Sequence, residues 1–393
     1  MDIIAVRHNT PHINLDDHEF TNDNYHSQSV NQTYVEMTMI GNRLKRARES
    51  KGLSLRELEA RIQGHVSAQA IGKYERDEMM PGSTALLALA DALGVTPEYL
   101  ISRQKIELTG VDFRKGPQAG PKEERAVESV VLDQVERYLE LEELMPEAGE
   151  TWLPLDDSAF FIERIEDAER AAETLRLKWK LGIDAIPSMA ELLEEKGVKV
   201  ISLELPEKVS GTKAHVSRPN REDVPVIVVN RHHNGERQRF TLAHELAHLV
   251  LQFAGLSDAE QEKAADRFAG ALLMAREMMT QLLGERRTSI SLGELVELKK
   301  LFKVSIASLV VRCGQLGVIT KAAYGRLFGQ IKALGWNGQG SNEPYLLDAE
   351  VPQRMERMCF RAVSEGAISE SRAAELLRIS VRELDARLMG IGV

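Results

Sequence analysis

The segment T-L-A-H-E-L-A-H-L-V-L, residues 241–251, constrains this chain more than any other stretch. Its apolar residues recur with helical spacing and no proline or glycine interrupts them, so the segment predicts a helix. His244 and His248 lie four residues apart and therefore project side by side on that helix. Two imidazoles held in this way can share one metal ion, and Glu245 projects close to them. The sequence thus predicts a metal site built on a single helix.

A short β-branched run precedes this helix. The run V-P-V-I-V-V-N, residues 224–230, is typical of a strand. A strand followed by an H-E-x-x-H helix is the layout that a zinc peptidase needs, because an extended substrate can pair along a strand edge beside the metal. We therefore predict a zinc peptidase in which the substrate lies along the edge of strand 224–230 and Glu245 is the general base.

The segment 260–274 supplies a candidate for a further metal ligand. Catalytic zinc usually has three protein ligands and one open position for water. The segment reads E-Q-E-K-A-A-D-R-F-A-G-A-L-L-M and predicts a helix on which Glu262 and Asp266 lie one turn apart. Isolated helix carboxylates are usually solvated surface charges, so it is the preceding H-E-x-x-H helix that favours a functional interpretation. We predict Glu262 as the third ligand and Asp266 as the residue that orients an imidazole.

These two helices resemble the ImmA/IrrE family of metallopeptidases, whose signature couples R-F-T-L-A-H-E-x-x-H to a following E-x-x-A-(N/D)-x-F-A-x-x-L-L-M-P. Ala247 stands where the family often has glycine, and Ala275 replaces its usual proline, but neither is a predicted metal ligand. The resemblance implies an intact zinc site and protein substrates, typically repressors with helix-turn-helix domains. The matching residues are Arg239 to His248, Glu262, Ala265, Asp266, Phe268, Ala269 and Leu272 to Met274.

Composition narrows the class of protein. The chain has 393 residues, 43% of them hydrophobic and 28% charged, which suits two or three soluble domains. Two distant cysteines, Cys313 and Cys359, provide no disulfide framework. No apolar run approaches the roughly 20 residues of a membrane span and there is no signal peptide, so we expect a cytoplasmic protein. The net charge of −10 argues that any contact with nucleic acid is confined to a locally basic face.

The first 38 residues differ in composition from the rest of the chain. Residues 1–38 are polar, rich in Asn, Asp and His, and without periodicity, which predicts a disordered arm. Met37 and Met39 stand immediately before the first predicted helix, and either is a candidate for the natural start.

Residues 39–103 predict a compact five-helix unit. Gly52 is placed as a helix C-cap, and Ser54 with Glu57 three residues later forms a capping box. The unit resembles the XRE/Cro/C1 helix-turn-helix domains of the lambda-repressor type, through R-x-x-x-G-L-S, I-x-x-Y-E and L-A-x-A-L-G-V. The resemblance implies binding to a double-stranded DNA operator as a homodimer. The alternative is a helical unit that mediates protein contacts only.

The third helix of this unit would enter the major groove. Gln69 and Lys73 would then face base edges, and Ser67 would lie near a phosphate. Arg43 and Arg46 on the first helix are further candidates for phosphate contacts.

The remaining chain divides by pattern into three parts. Residues 104–157 predict a Pro/Gly-rich linker and a connecting amphipathic helix. Residues 158–283 predict the zincin-like peptidase domain, and residues 284–393 a helical C-terminal region. The predicted fold class is therefore α+β, mainly α with a small sheet.

Two classes of function remain open. In the first, the protein is a DNA-binding regulator whose zinc endopeptidase cleaves a repressor-type protein in stress, mobile-element or toxin-antitoxin control. In the second, it is a non-proteolytic repressor or an antitoxin whose peptidase-like domain senses a signal or binds a partner such as a toxin. An enzyme needs Glu245, whereas a pure repressor needs Gln69 and Lys73 but tolerates Glu245→Gln.

Overall fold

The computed structural model describes residues 40–95, 97–101, 106–110, 121–146, 151–155, 157–218, 221–336 and 342–391. The arm predicted at 1–38, the candidate starts Met37 and Met39 and the Pro/Gly-rich part of the linker at 111–120 lie outside these residues. The described residues belong to two compact units. One contains residues 40–45 and 58–101, and the other contains residues 46–57 and 106–391.

The five helices predicted near the N-terminus are confirmed. The predicted capping box is present, since the Ser54 amide donates to Glu57 Oε2 at 2.6 Å and the Glu57 amide donates to Ser54 Oγ at 3.2 Å. Ser67 Oγ accepts from the amide of Ala70 at 3.2 Å and so caps the third helix. These helices are α1 (Ile40–Ser50), α2 (Leu55–Arg61), α3 (Ala68–Glu75), α4 (Ser83–Leu93) and α5 (Pro97–Ile101).

A four-stranded mixed sheet lies in the larger unit. The strands of that unit are β1 (Glu107–Thr109), β2 (Phe161–Ile162), β3 (Lys199–Leu203), β4 (Gly211–Arg218), β5 (Arg221–Asn230) and β6 (Gln252–Phe253). The sheet has the order β1-β4-β5-β3, and β2 pairs separately with β6. β5 runs parallel to β3 and antiparallel to β4. Within the stretch predicted as a linker, β1 pairs with the end of β4.

The position of β5 overturns one prediction. Because β3 and β4 occupy both of its edges, β5 is an interior strand, and a substrate cannot pair along the edge of residues 224–230. The apolar run in β5 has a different cause, which is that both of its faces are buried. The sequence pattern of a doubly buried strand says nothing about which strand lies at the edge.

The helices of the larger unit are α6 (Pro121–Leu144), α7 (Asp167–Lys178), α8 (Met189–Glu195), α9 (Gly235–Val250), α10 (Asp258–Leu273), α11 (Arg276–Leu283), α12 (Leu292–Phe302), α13 (Ile306–Gln315), α14 (Lys321–Ala333), α15 (Arg354–Ser364), α16 (Glu370–Leu377) and α17 (Val381–Leu388). Helices cover both faces of the sheet. Ile227 and Val229 of β5 belong to the core that contains α9 and α10, whereas Val226 and Val228 belong to the core that contains α6.

Helix α9, which carries the two histidines, packs closely on the sheet. A Cβ atom built on Gly211 of β4 would lie 2.6 Å from both Thr241 Cγ2 and the Val228 carbonyl oxygen. Such a contact is too short for any side chain, so glycine at this position allows α9 to approach β4. This approach brings the backbone of β4 next to the histidine-bearing part of α9.

The C-terminal region is helical, as predicted. Its helices α12 to α14 share one hydrophobic core with α7 to α11, so that core does not end at residue 283. Helices α15 to α17 pack instead against the end of α6, through Leu141 and Met145. No helix in the parts of the chain that the structure describes is both long and apolar enough to span a bilayer.

Buried ion pairs fasten the segment 342–350 to α9. Arg239 of α9 lies 2.6 Å from Glu350, and both side chains are buried. Glu350 also accepts hydrogen bonds from the amides of Met189 and Ala190 at the start of α8. This carboxylate therefore holds two helices and the C-terminal segment together, and it helps to fix the position of α9.

Candidate metal centre

Helices α9 and α10 position the predicted metal ligands. α9 begins at a side-chain cap, since Asn234 Oδ1 accepts from the Arg237 amide at 3.0 Å, and it continues unbroken through the histidines. α10 begins at a capping box between Ser257 and Glu260. The apolar sides of the two helices pack in the core. Polar side chains of the two helices meet beside this core, since Glu262 and Asp266 of α10 contact His244 of α9.

The structure brings the three predicted ligands together. The Nε2 atoms of His244 and His248 lie 3.1 Å apart. Glu262 Oε2 lies 3.2 Å from His244 Nε2, and Glu262 Oε1 lies 3.3 Å from His248 Nε2. One ligand atom from each of the three residues falls within a set whose members are all within 4.8 Å of one another.

This donor set fits zinc. In a tetrahedral site with ligand bonds of about 2.0–2.2 Å, neighbouring ligand atoms lie roughly 3.3–3.6 Å apart. The distances among His244, His248 and Glu262 are close to that spacing. Two imidazole nitrogens and one carboxylate oxygen are also the ligand types of a catalytic zinc that keeps a fourth position for water.

Asp266 lies where the sequence predicts an orienting residue. Its Oδ1 is 2.9 Å from His244 Nδ1. Burial by itself lowers the pKa of His244, but hydrogen bonds to Asp266 and Glu262 outweigh that effect and raise the pKa to about 10. The surrounding carboxylates thus favour positive charge at this position, and a metal cation would supply it.

Glu245 lines the same cleft as the three ligands. The cleft has a volume of about 400 Å³, and Thr241, Asp266 and residues 208–213 also line it. A carboxylate next to a histidine ligand, in a cleft open to solvent, can exchange a proton with a water molecule held there.

The structure adds residues that the sequence motif does not contain. Lys213 of β4 lines the cleft, and its ammonium group donates to the backbone carbonyl of His248 at 2.7 Å. Arg237 lies two helical turns before His244, and its guanidinium donates to Ser210 Oγ at 2.8 Å. These contacts join β4 and the preceding loop to α9. No local spacing could reveal them, because strand and helix meet only through the sheet topology.

The predicted DNA-reading residues lie on α3. Gln69 and Lys73 are exposed and one turn apart, while Ile71 and Tyr74 on the opposite side are buried. Ser67 is exposed at the start of the helix, where its hydroxyl acts as the cap. The orientation of α3 therefore leaves its polar face accessible.

Neither of the two arginines predicted to contact phosphates has a freely exposed guanidinium group. Arg43 is buried, and the guanidinium of Arg46 donates to the backbone carbonyl of Ile106. Asn42 and Lys45 are the exposed polar residues of this part of α1. Lys45 is thus a better-exposed candidate for a phosphate contact, and helical spacing alone did not separate it from its neighbours.

Comparison with family models gives two matches. Residues 193–313 match the IrrE N-terminal-like domain of peptidase family M78, and residues 44–100 match a helix-turn-helix domain. The first match contains both helices of the metal centre and continues through most of α13. No curated protein matches the chain.

Proposed function

Since the chain joins a helix-turn-helix domain to an IrrE N-terminal-like domain of the M78 peptidase family, we propose that it is a transcriptional regulator that cleaves a protein of the repressor type. The observation that carries this proposal is the convergence of His244, His248 and Glu262 beside Glu245 in an open cleft. A site built only for stability would have no reason to gather three metal-ligand atoms at a solvent-accessible position.

The residues of the site have distinct tasks in peptide hydrolysis. His244, His248 and Glu262 would hold a Zn²⁺ ion, which when bound polarises the scissile carbonyl and makes water more acidic. Asp266 accepts the Nδ1 proton of His244 and so leaves Nε2 as the ligand atom. The Glu245 carboxylate takes a proton from the attacking water and returns it to the departing amine nitrogen.

Residues 211–214 of β4, which β1 does not cover, offer an edge for an extended substrate. β1 pairs only with residues 215–217, so residues 211–214 have no strand on their outer side within the described chain. The Ser210 carbonyl accepts from the Asn230 amide at 2.9 Å and therefore points towards β5. Because backbone groups alternate along an antiparallel strand, those of Gly211 and Lys213 point to the outer edge, on the cleft side.

Replacement of Lys213 by proline tests this placement. Lys213→Pro removes the outward amide and the side-chain amine, whereas Lys213→Ala removes only the amine. We expect slower cleavage by the proline variant than by the alanine variant. Equal cleavage rates for two folded variants would exclude pairing at Lys213.

The DNA-binding half is proposed to read an operator through α3, as a homodimer. Such a regulator works where the chromosome is, which for a bacterial-type repressor domain is the cytoplasm. Gln69→Ala and Lys73→Ala should weaken binding to the operator, and Glu245→Gln should leave it unchanged. Electrophoretic mobility shifts on the promoter of this gene and its neighbours measure both effects, and sedimentation measures the dimer.

Two measurements test the peptidase. Metal analysis by mass spectrometry should find about one zinc per chain in the wild type and none in His244→Ala. New protein N-termini should then appear in cells that express the wild type and be missing with Glu245→Gln. Identical sets of N-termini would contradict proteolysis and leave a non-proteolytic repressor or an antitoxin.

A further inference from the structure

A second cavity continues the catalytic cleft along α9. It has a volume of about 720 Å³, and Arg237 and Phe240 line both cavities. The two cavities are therefore adjacent along α9. Residues of the C-terminal region also line the second cavity, among them Ala307, Trp336 and Leu346. We call this second cavity the distal pocket.

Glu236 gives the distal pocket an unusual polar group. The residue is only 3% exposed and lines the cavity. Its Oε1 accepts from the ammonium group of Lys299, but its Oε2 accepts no hydrogen bond within the described chain. A buried acceptor without a donor is costly, so a ligand donor that reaches Oε2 would stabilise this carboxylate.

The charges around Glu236 do not balance. Lys299 also lies 2.7 Å from Glu343, so that two buried carboxylates share one ammonium group. Glu343 accepts a further hydrogen bond from the Ile306 amide at 3.1 Å. The positive group of Arg237 is directed to Ser210 Oγ. Arg237 nevertheless remains a cation, but with Glu207 the described wall has three carboxylates against the cations of Lys299 and Arg237, and this excess of one negative charge favours a cation.

The rest of the pocket suits a cation carried on an apolar stem. Phe240 and Trp336 provide aromatic faces, which attract ammonium and guanidinium groups. Leu205, Ala307 and Leu346 provide apolar surface for methylene groups. Arginine and lysine side chains combine these two properties.

We propose that the distal pocket binds a basic side chain of the peptide whose scissile bond lies in the catalytic cleft. The inference rests on the proposed peptidase function and names a feature of its substrate. Glu236 precedes His244 by eight residues, which is about 12 Å along a helix, and an extended peptide advances about 3.3 Å per residue. The basic residue therefore lies roughly two to four positions from the scissile bond.

Binding of defined peptides tests the proposal without cleavage. The full chain carrying Glu245→Gln is titrated by calorimetry with seven-residue alanine peptides that hold one arginine at each position in turn. The matched peptides hold citrulline, which keeps the shape of arginine but has no charge. We expect one register in which arginine binds at least about tenfold more tightly than citrulline, as for a hydrogen bond to a charged group.

A second replacement assigns that preference to Glu236. Glu236→Gln in the same background should reduce the arginine preference to less than about threefold, since the charge is lost. Glu285→Gln, which removes an exposed carboxylate outside the pocket, should leave it unchanged. Thermal unfolding checks that each variant is folded.

The possible results distinguish a failure of the pocket proposal from a failure of the peptidase proposal. Equal binding of arginine and citrulline peptides in every register overturns the pocket, whatever the variants do. Free arginine that binds as tightly as the best peptide overturns its assignment to a substrate side chain and indicates a small effector. An arginine preference that Glu236→Gln removes, in a protein whose wild type cleaves nothing, supports the pocket while the peptidase proposal fails.

Discussion

The two halves of α9 bury polar groups in different ways. In the N-terminal half, Glu236 and Arg239 are each almost fully buried and each bonded to an opposite charge, Lys299 and Glu350 respectively. These partners come from the C-terminal region, so the pairs fasten that region to the helix. Arg239 is neutralised inside the protein in this way, whereas Glu236 shares the ammonium group of Lys299 with Glu343.

In the C-terminal half, groups that could hold a cation converge on one point. His244, His248 and Glu262 direct ligand atoms at one another across 3.1 to 3.3 Å. The carboxylates here raise the pKa of His244 to about 10, although its burial lowers it. A buried charge on a helix is therefore not by itself a functional site. The convergence of like ligand atoms on a solvent-accessible point distinguishes the metal centre from the structural half.

The largest effect should come from Glu245→Gln. Because this change removes the proposed base but no metal ligand, cleavage should slow by about 100-fold to 10,000-fold. Zinc content and melting temperature should stay the same. Rates are measured on the substrate identified by its new N-terminus, with Glu285→Gln as the control. Cleavage within threefold of the wild type would remove Glu245 from the mechanism.

Breaking the buried ion pair in the N-terminal half of α9 should instead lower the stability of the fold. Arg239→Met leaves the carboxylate of Glu350 buried without its cation, which should cost about 3–5 kcal/mol in the free energy of unfolding. Urea unfolding provides the measurement. The matched control is Glu365→Gln, since the Arg361–Glu365 pair is about half exposed on both sides and should contribute less than about 1 kcal/mol. Equal losses for the two changes would refute a structural role for the buried pair.

A smaller effect is expected from Asp266→Asn. The amide is a poorer acceptor for the Nδ1 proton of His244, and loss of such an orienting group usually weakens metal affinity by about 10-fold to 100-fold. Competition with a fluorescent zinc chelator measures this affinity. Asp258→Asn changes an exposed residue of the same helix and should leave the affinity unchanged. An unchanged affinity in Asp266→Asn would mean that the hydrogen bond does not support the site.

The smallest effect concerns pH. Burial raises the pKa of Glu350, but Arg239 and the amides that start α8 outweigh it and hold the pKa below the ordinary value of 4.5. A lowered folded pKa stabilises the fold above the unfolded pKa, and that contribution is lost as the pH falls through the folded value. The free energy of unfolding should therefore fall with acidification more steeply for the wild type than for Glu350→Gln, by at most about 1.4 kcal/mol per pH unit.

Urea unfolding between about pH 5 and pH 3 measures this slope. A chelator is present, because His244 then stays protonated over the whole range, given its pKa of about 10. A slope for Glu350→Gln as steep as that of the wild type would show that other carboxylates dominate the acid response.

Local patterns predicted much of the molecule. The helix-turn-helix unit, the capping box of Ser54 and Glu57, and the grouping of His244 with His248 follow from spacings within a few turns of chain. Glu262 needed the preceding H-E-x-x-H helix, because an isolated helix carboxylate is usually a solvated surface charge. The prediction for Arg43 was also limited by local pattern, since helical spacing alone did not reveal that this residue is buried.

The spacing of His244 and His248 was enough to predict that they could share a metal ion, because residues four apart on a helix lie side by side whatever surrounds them. That β5 is an interior strand and that β1 covers only residues 215–217 on the outer side of β4 became clear from the tertiary structure. It also decided that Lys213 faces the histidines and that Trp336 and Glu236 share a cavity. The physical reason is that strand order and helix packing depend on how distant segments bury one another, and no short pattern encodes that choice.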